Sequence, residues 1–120
     1  MLEPLEATRV IARPAALDAV RVSPGTLLMR LALDDALVIG GDVQVDDPFA
    51  IVVPDSGWVA WRFGEDQLRE ALVRLCAFEI HAGLNQGMVA GLPAKIWIDG
   101  DRSLVIVAAA YAAEFEERFR

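Results

Sequence analysis

From Glu65 onward the apolar residues fall three and four positions apart: Leu68, Ala71, Leu72, Leu75 and Phe78. At 3.6 residues per turn that spacing keeps them on one face, and it predicts an amphipathic helix over 65–77. Glu65 and Asp66 occupy its first turn, where the helix dipole favours anions. Gln67, Arg69, Glu70 and Arg74 take the wet face. "YAAEFEERF" spaces Tyr111, Phe115 and Phe119 four apart and predicts a second such helix. Between the two, the pattern is that of strands. "GMVAG" and "PAKIWID" read as strand pieces separated by Leu92–Pro93, and Gly100–Asp101 is a compact turn. "SLVIVAAA", Ser103–Ala110, is apolar on both faces, which marks a central position in a sheet. With "WVAWRF", Trp58–Phe63, ahead of the first helix, residues 58–120 read β-α-β-β-α.

The first half carries a weaker pattern. Residues 1–17 hold Pro4 and Pro14 and predict an irregular arm, with an extended piece at "TRVIA". Ser23–Gly25 is a turn, Thr26–Leu33 a strand, Asp34–Asp35 a tight turn, and "ALVIGG" the returning strand. "DVQVDDP" alternates and stops at Pro48; Phe49–Val53 is a third strand, and Pro54–Gly57 a turn with proline in its favoured early place. The expectation is a single α+β domain over residues 1–120: an irregular arm at 1–17, N-terminal strands at 18–57, and the β-α-β-β-α unit at 58–120. An antiparallel or mixed sheet with both helices on one face buries both apolar stripes, a ferredoxin-like arrangement. The N-terminal strands extend that sheet or flank it as a ribbon.

Charge and composition narrow the function classes. Net charge is −7, with eighteen acidic side chains against eleven basic ones, of which only Lys95 is a lysine. Such a chain repels phosphate backbones, so nucleic acid is not an expected partner. Charges interrupt every apolar stretch before 18 residues, which predicts no membrane-spanning helix. The N-terminus carries Glu3 and Glu6 and no apolar core of a secretory signal, so the default expectation is cytoplasmic. The lone cysteine, Cys76, allows no intrachain disulfide. With one histidine, His81, it cannot supply the four ligands of a structural zinc site, so no transition metal is expected.

Few residues suggest chemistry. Cys76 lies on or beside the apolar face of a helix and reads as a small core residue rather than a nucleophile. His81 reads as a loop side chain. Asp34-Asp35 and Asp46-Asp47 are paired acids, but each pair sits at a turn, where aspartate bonds its own backbone. Gly87 and Gly91 lie in strands rather than before a helix, so they mark bulges or close backbone approaches instead of a phosphate cradle. No catalytic residue is assigned. The tryptophans remain. Trp58 and Trp61 face opposite sides of a strand, one toward the core and one outward. Trp97 shares a strand face with Lys95, which is a binding face or simply a covered one. Trp58, Trp61, Lys95 and Trp97 are the candidate interface residues.

"LREALVRLCAFEI" followed by "NQGMVAGLPAKIWIDGDRSLVIVAAAYAAEFEERF" resembles the gamma subunit of heterotetrameric sarcosine oxidase. That subunit is a relative of the folate-binding domain of aminomethyltransferase, the glycine-cleavage T-protein. The resemblance covers the C-terminal half and rests on the order of elements. It implies the fold and a non-catalytic, accessory place in a complex whose flavins and nicotinamide nucleotide belong to other subunits, so that this chain itself needs no cofactor. The T-protein family has a carboxylate pair after a glycine pair; here Gly87–Ala94 contains no acid, which argues against independent aminomethyl transfer. The expected partners are amine-oxidase-type subunits or a second copy. The strand at Ser103–Ala110 adds a physical reason, since one helical layer covers only one of its apolar faces. The alternative is a small-ligand binder or one-carbon-transfer enzyme with a folate-like pocket.

Overall fold

The computed structural model describes residues 3–119. The chain divides into two compact units. One spans Glu6–Ser56; the other holds the chain from Gly57 onward, joined by its first few residues. The boundary falls beside the division the sequence draws between 18–57 and 58–120.

The N-terminal unit contains strand β1 (Pro4–Ile11) from Glu6 onward, the short helix α1 (Pro14–Asp18), and strands β2 (Leu27–Ala32) and β3 (Asp35–Ile39). Strand β4 (Ile51–Phe63) begins in this unit and runs into the next. The strand order is β2-β3-β1-β4, with β3 antiparallel to both β2 and β1. One core cluster of the unit is made of small side chains: Val10, Ala12, Ala16, Leu17, Ala36 and Val38.

Two expectations for this half are corrected. The irregular arm at 1–17 is a strand and a helix. Its prolines mark beginnings rather than disorder: Pro4 is the first residue of β1, and Pro14 opens α1, where a missing N–H costs nothing. The polar β1 is held by partners distant in sequence, since the Arg9 guanidinium binds the Asp35 carboxylate and reaches Asp55 at 3.4 Å. Nor is there a turn at Pro54–Gly57. One continuous strand covers Ile51–Phe63, and the later strand Ser103–Ala108 pairs with its Trp58–Phe63 part. Pro54 lies outside the stretch that pairs with the later strand, and proline is tolerated where the ladder does not call on its missing N–H.

The C-terminal unit adds α2 (Glu65–Leu75), β5 (Gly83–Val89), β6 (Leu92–Ile98), β7 (Ser103–Ala108), a 3₁₀ turn at Ala109–Tyr111 and α3 (Ala112–Phe119). The order is β4-β7-β6-β5, and each neighbouring pair is antiparallel. The molecule is thus α+β with antiparallel strand pairing. Three strands, not two, separate α2 from α3, so the order is β-α-β-β-β-α. The break expected at Leu92–Pro93 sits instead at Ala90–Gly91, whose φ angles of 51° and 79° are the two positive values of a type I′ hairpin. Leu92 and Pro93 belong to β6 and pair with Val89 and Met88.

Both helices pack on one face of these strands. Leu68 and Leu72 of α2 and Phe115 and Phe119 of α3 meet Trp61, Phe63, Val89, Ile96, Ile98, Val105 and Val107. Phe115 stacks between Trp61 and Phe119, with ring centroids 5.4 Å from each. Gly87 is a close approach, as its spacing suggests: a Cβ there would lie 2.5 Å from the Phe78 ring.

Candidate functional site

Strand alternation sorts the C-terminal unit into two faces. The helix-covered face takes Trp61, Val105, Ile96 and Val89. The opposite face takes Trp58 from β4, Leu104 and Ile106 from β7, Pro93, Lys95 and Trp97 from β6, and Leu84, Gln86 and Met88 from β5. Register brings these into rows: Trp58 beside Ala108, Lys95 beside both Ile106 and Gln86, Trp97 beside Leu104 and Leu84, and Met88 beside Pro93.

Three of the four residues singled out from the sequence therefore share one face. Trp58, Lys95 and Trp97 are half-buried there. Trp61 is the exception: it is 2% exposed and stacks on Phe115 in the core, with its indole N–H buried and unpartnered. The odd spacing of 58 and 61 on a strand puts them on opposite sides, and Trp61 fell to the helices. It does not join the surface.

Lys95 organises the middle of this face. Its ammonium donates to Gln86 Oε1 at 2.8 Å and sits 5.6 Å from the centroid of the Trp58 ring. That is within cation–π reach. Beside it lies a hollow of about 260 Å³ walled by Trp58, Gln86, Met88, Pro93, Lys95, Ile106 and Ala108. Met88 is 54% exposed and Leu84 39%. On β7 the second face is already covered within the single chain, with Leu104 at 1% and Ile106 at 0% exposure. The open apolar surface lies on β5 and β6 instead.

Gln86, Met88 and Leu84 were not anticipated. Their alternation in "GLNQGMV" was there to be read, but a strand begun at Gly87 rather than Gly83 cuts it in half. Asn85 was also missed. It is buried on the other face, where its side chain binds the His81 N–H at 2.9 Å, the His81 carbonyl at 2.8 Å and the Gly83 carbonyl at 3.2 Å. It ties the loop after α2 to β5.

The remaining candidates have structural partners. Cys76 is partly buried against the core, its Sγ 3.3 Å from the Leu72 carbonyl. Asp35 is bound by Arg9, which holds its carboxyl below the usual carboxylate range. Asp47 is likewise lowered, because it accepts the Phe49 and Arg13 backbone N–H groups at 2.9 and 3.1 Å. Among the described residues no group of three or more His, Cys, Asp or Glu is placed to hold a metal ion. No helix among them is long and apolar enough to cross a membrane.

Compared with known proteins, the chain matches no family model and no curated protein sequence.

Proposed function

We propose that this chain is a non-catalytic accessory protein of the sarcosine oxidase gamma-subunit type. It works in the cytoplasm and packs through the outward face of β5 and β6 on an amine-oxidase-type partner subunit or on a second copy. In this reading the C-terminal unit is a ferredoxin-like relative with one extra strand. The observation that carries the proposal is a pair of outward apolar couples, Leu84 with Trp97 and Met88 with Pro93, on either side of the Lys95–Gln86 bond. Tryptophan and methionine are enriched at protein interfaces, and outward apolar surface of this kind marks contact sites. Light scattering on the purified chain tests the self-association arm. The expected result is a dimer that Trp97→Glu converts to a monomer with unchanged far-UV circular dichroism. A well-behaved native monomer at high concentration that also fails to bind such subunits would sink the proposal.

The hollow beside Lys95 favours a second reading, a small-ligand binding protein. A concave apolar site with a few polar groups at its rim is the usual form of such sites.

A further inference from the structure

The second reading is taken further by the one lysine. In a chain with eighteen acidic side chains, the Lys95 ammonium meets no carboxylate among the described residues. An ammonium has three donors. One goes to Gln86, and the Trp58 ring supplies diffuse attraction, which leaves charge and donors uncommitted at the rim of the hollow. Gln86 accepts through Oε1, so its NH₂ is a second donor in the same place. Below this polar rim the walls are Trp58, Met88, Pro93, Ile106 and Ala108, all apolar.

We propose that the hollow binds a small monocarboxylate with an apolar body. The carboxylate is held by Lys95 Nζ and Gln86 Nε2, and the body lies against Trp58, Met88 and Pro93. Size sets the class: a hollow of about 260 Å³ lies at the small end of ligand pockets and suits a small body rather than a large cofactor. Charge sets it too. One ammonium matches one negative charge, and a net charge of −7 repels polyanions. Met88, with its flexible thioether, lets the wall adapt to aliphatic or aromatic bodies.

This proposal rests on the ligand-binding reading, and two probes separate their failures. Octanoate and octan-1-ol are titrated into the full ¹⁵N-labelled chain and followed by NMR. Octanoate should give saturable shifts centred on the amides of Gln86, Met88, Lys95 and Ala108. Lys95→Met should weaken octanoate roughly tenfold, the scale of one charge-assisted hydrogen bond, and leave octanol within about twofold. Added salt should weaken octanoate alone. Met88→Trp, at an exposed wall position where folding is not at stake, should weaken both by narrowing the hollow. If the two probes bind alike and Lys95→Met changes neither, the carboxylate assignment falls while the ligand-binding reading stands. If neither probe shifts these amides at millimolar concentration, both fall. Shifts as large at Val38 as at Lys95 would reveal a nonspecific detergent effect and overturn the site.

Discussion

The two units bury apolar surface in different ways. The C-terminal unit closes on a chain of aromatic rings, with Phe115 stacked on Trp61 and Phe119 set 5.0 Å from Phe63. The small-residue cluster of the N-terminal unit has no aromatic side chain, and Phe49 in the turn before β4 and Ile51 at its start are exposed, at 88% and 52%. Beside that cluster the N-terminal unit places ion pairs, Arg9 with Asp35 and Arg30 with Asp18 at 2.6 Å. Large rings remove much area from water and gain contact energy beyond it. Half-exposed ion pairs contribute little and are screened. The contrast teaches where a truncation will hurt and where a change of pH will.

The largest effect is expected at Phe115. Phe115→Ala removes a fully buried ring touching two others and should cost about 3–5 kcal/mol, read from urea denaturation. Leu72→Ala in α2 should cost about 2–5 kcal/mol. Val38→Ala, in the small-residue cluster, loses two methyl groups at about 0.8 kcal/mol each, so about 2 kcal/mol with its cavity. If Val38→Ala costs as much as Phe115→Ala, the distinction between an aromatic core and a small-residue core fails.

The same contrast governs what the sequence makes legible. The α2 and α3 helices are visible as periodic stripes because each must bury one face, and Leu68, Leu72, Phe115 and Phe119 all do. Strand β1 is visible only in its second half, as the extended piece at "TRVIA". Its alternation is broken by Glu6, Thr8 and Arg9, and what holds Arg9 is Asp35 and Asp55, 26 and 46 residues away. No local window contains that pairing. The continuity of β4 through Pro54 is hidden for a related reason, because proline is excluded only where a neighbour needs its N–H. At the site, the shared face of Lys95 and Trp97 follows from alternation alone. That Trp58 joins them, and that Gln86 meets Lys95, depends on strand order and register, which the pattern does not carry.

A middle-sized effect separates the units by pH. Asp35 and Asp47 both belong to the N-terminal unit, and both carboxyls are held below their ordinary value, by Arg9 and by the Phe49 and Arg13 N–H groups. A folded-state value below the unfolded one means that the unfolded chain binds more protons between the two. The stabilisation is therefore complete above the unfolded value of about 3.9 and is lost as pH falls through the lower folded values. Hydrogen exchange followed by NMR should show N-terminal-unit amides losing protection as pH drops below about 4, after correction for intrinsic exchange. Asp35→Asn should flatten that acid limb. The change should stay well short of that caused by Phe115→Ala, since both partners are partly exposed. An acid limb as steep in Asp35→Asn as in the native chain would remove the pair from the account.

The smallest effect runs the other way and lies in the C-terminal unit. Ala90 holds φ at 51°, a left-handed conformation that crowds its Cβ, while Gly91 beside it at 79° does so freely. A type I′ hairpin wants Asn-Gly at these two places. The Ala90 backbone is also committed: its N–H donates to the Leu75 carbonyl at 2.7 Å, and its carbonyl accepts from Arg118 Nη1 at 2.7 Å. The hairpin turn thereby ties the end of α2 to α3. Both bonds use main-chain atoms of residue 90, so a side-chain change leaves them in place. Ala90→Asn should then stabilise the protein by a few tenths to about 1 kcal/mol, because asparagine adopts this conformation more readily than alanine. Gly91→Ala supplies the opposite sign, since a Cβ there meets a positive φ and lies 3.0 Å from Arg118 Nη1. Urea midpoints of the two variants against the native chain decide the matter. If Ala90→Asn lowers the midpoint, strain at residue 90 is not what limits this hairpin, and the aromatic core beneath it has already fixed the turn at no cost.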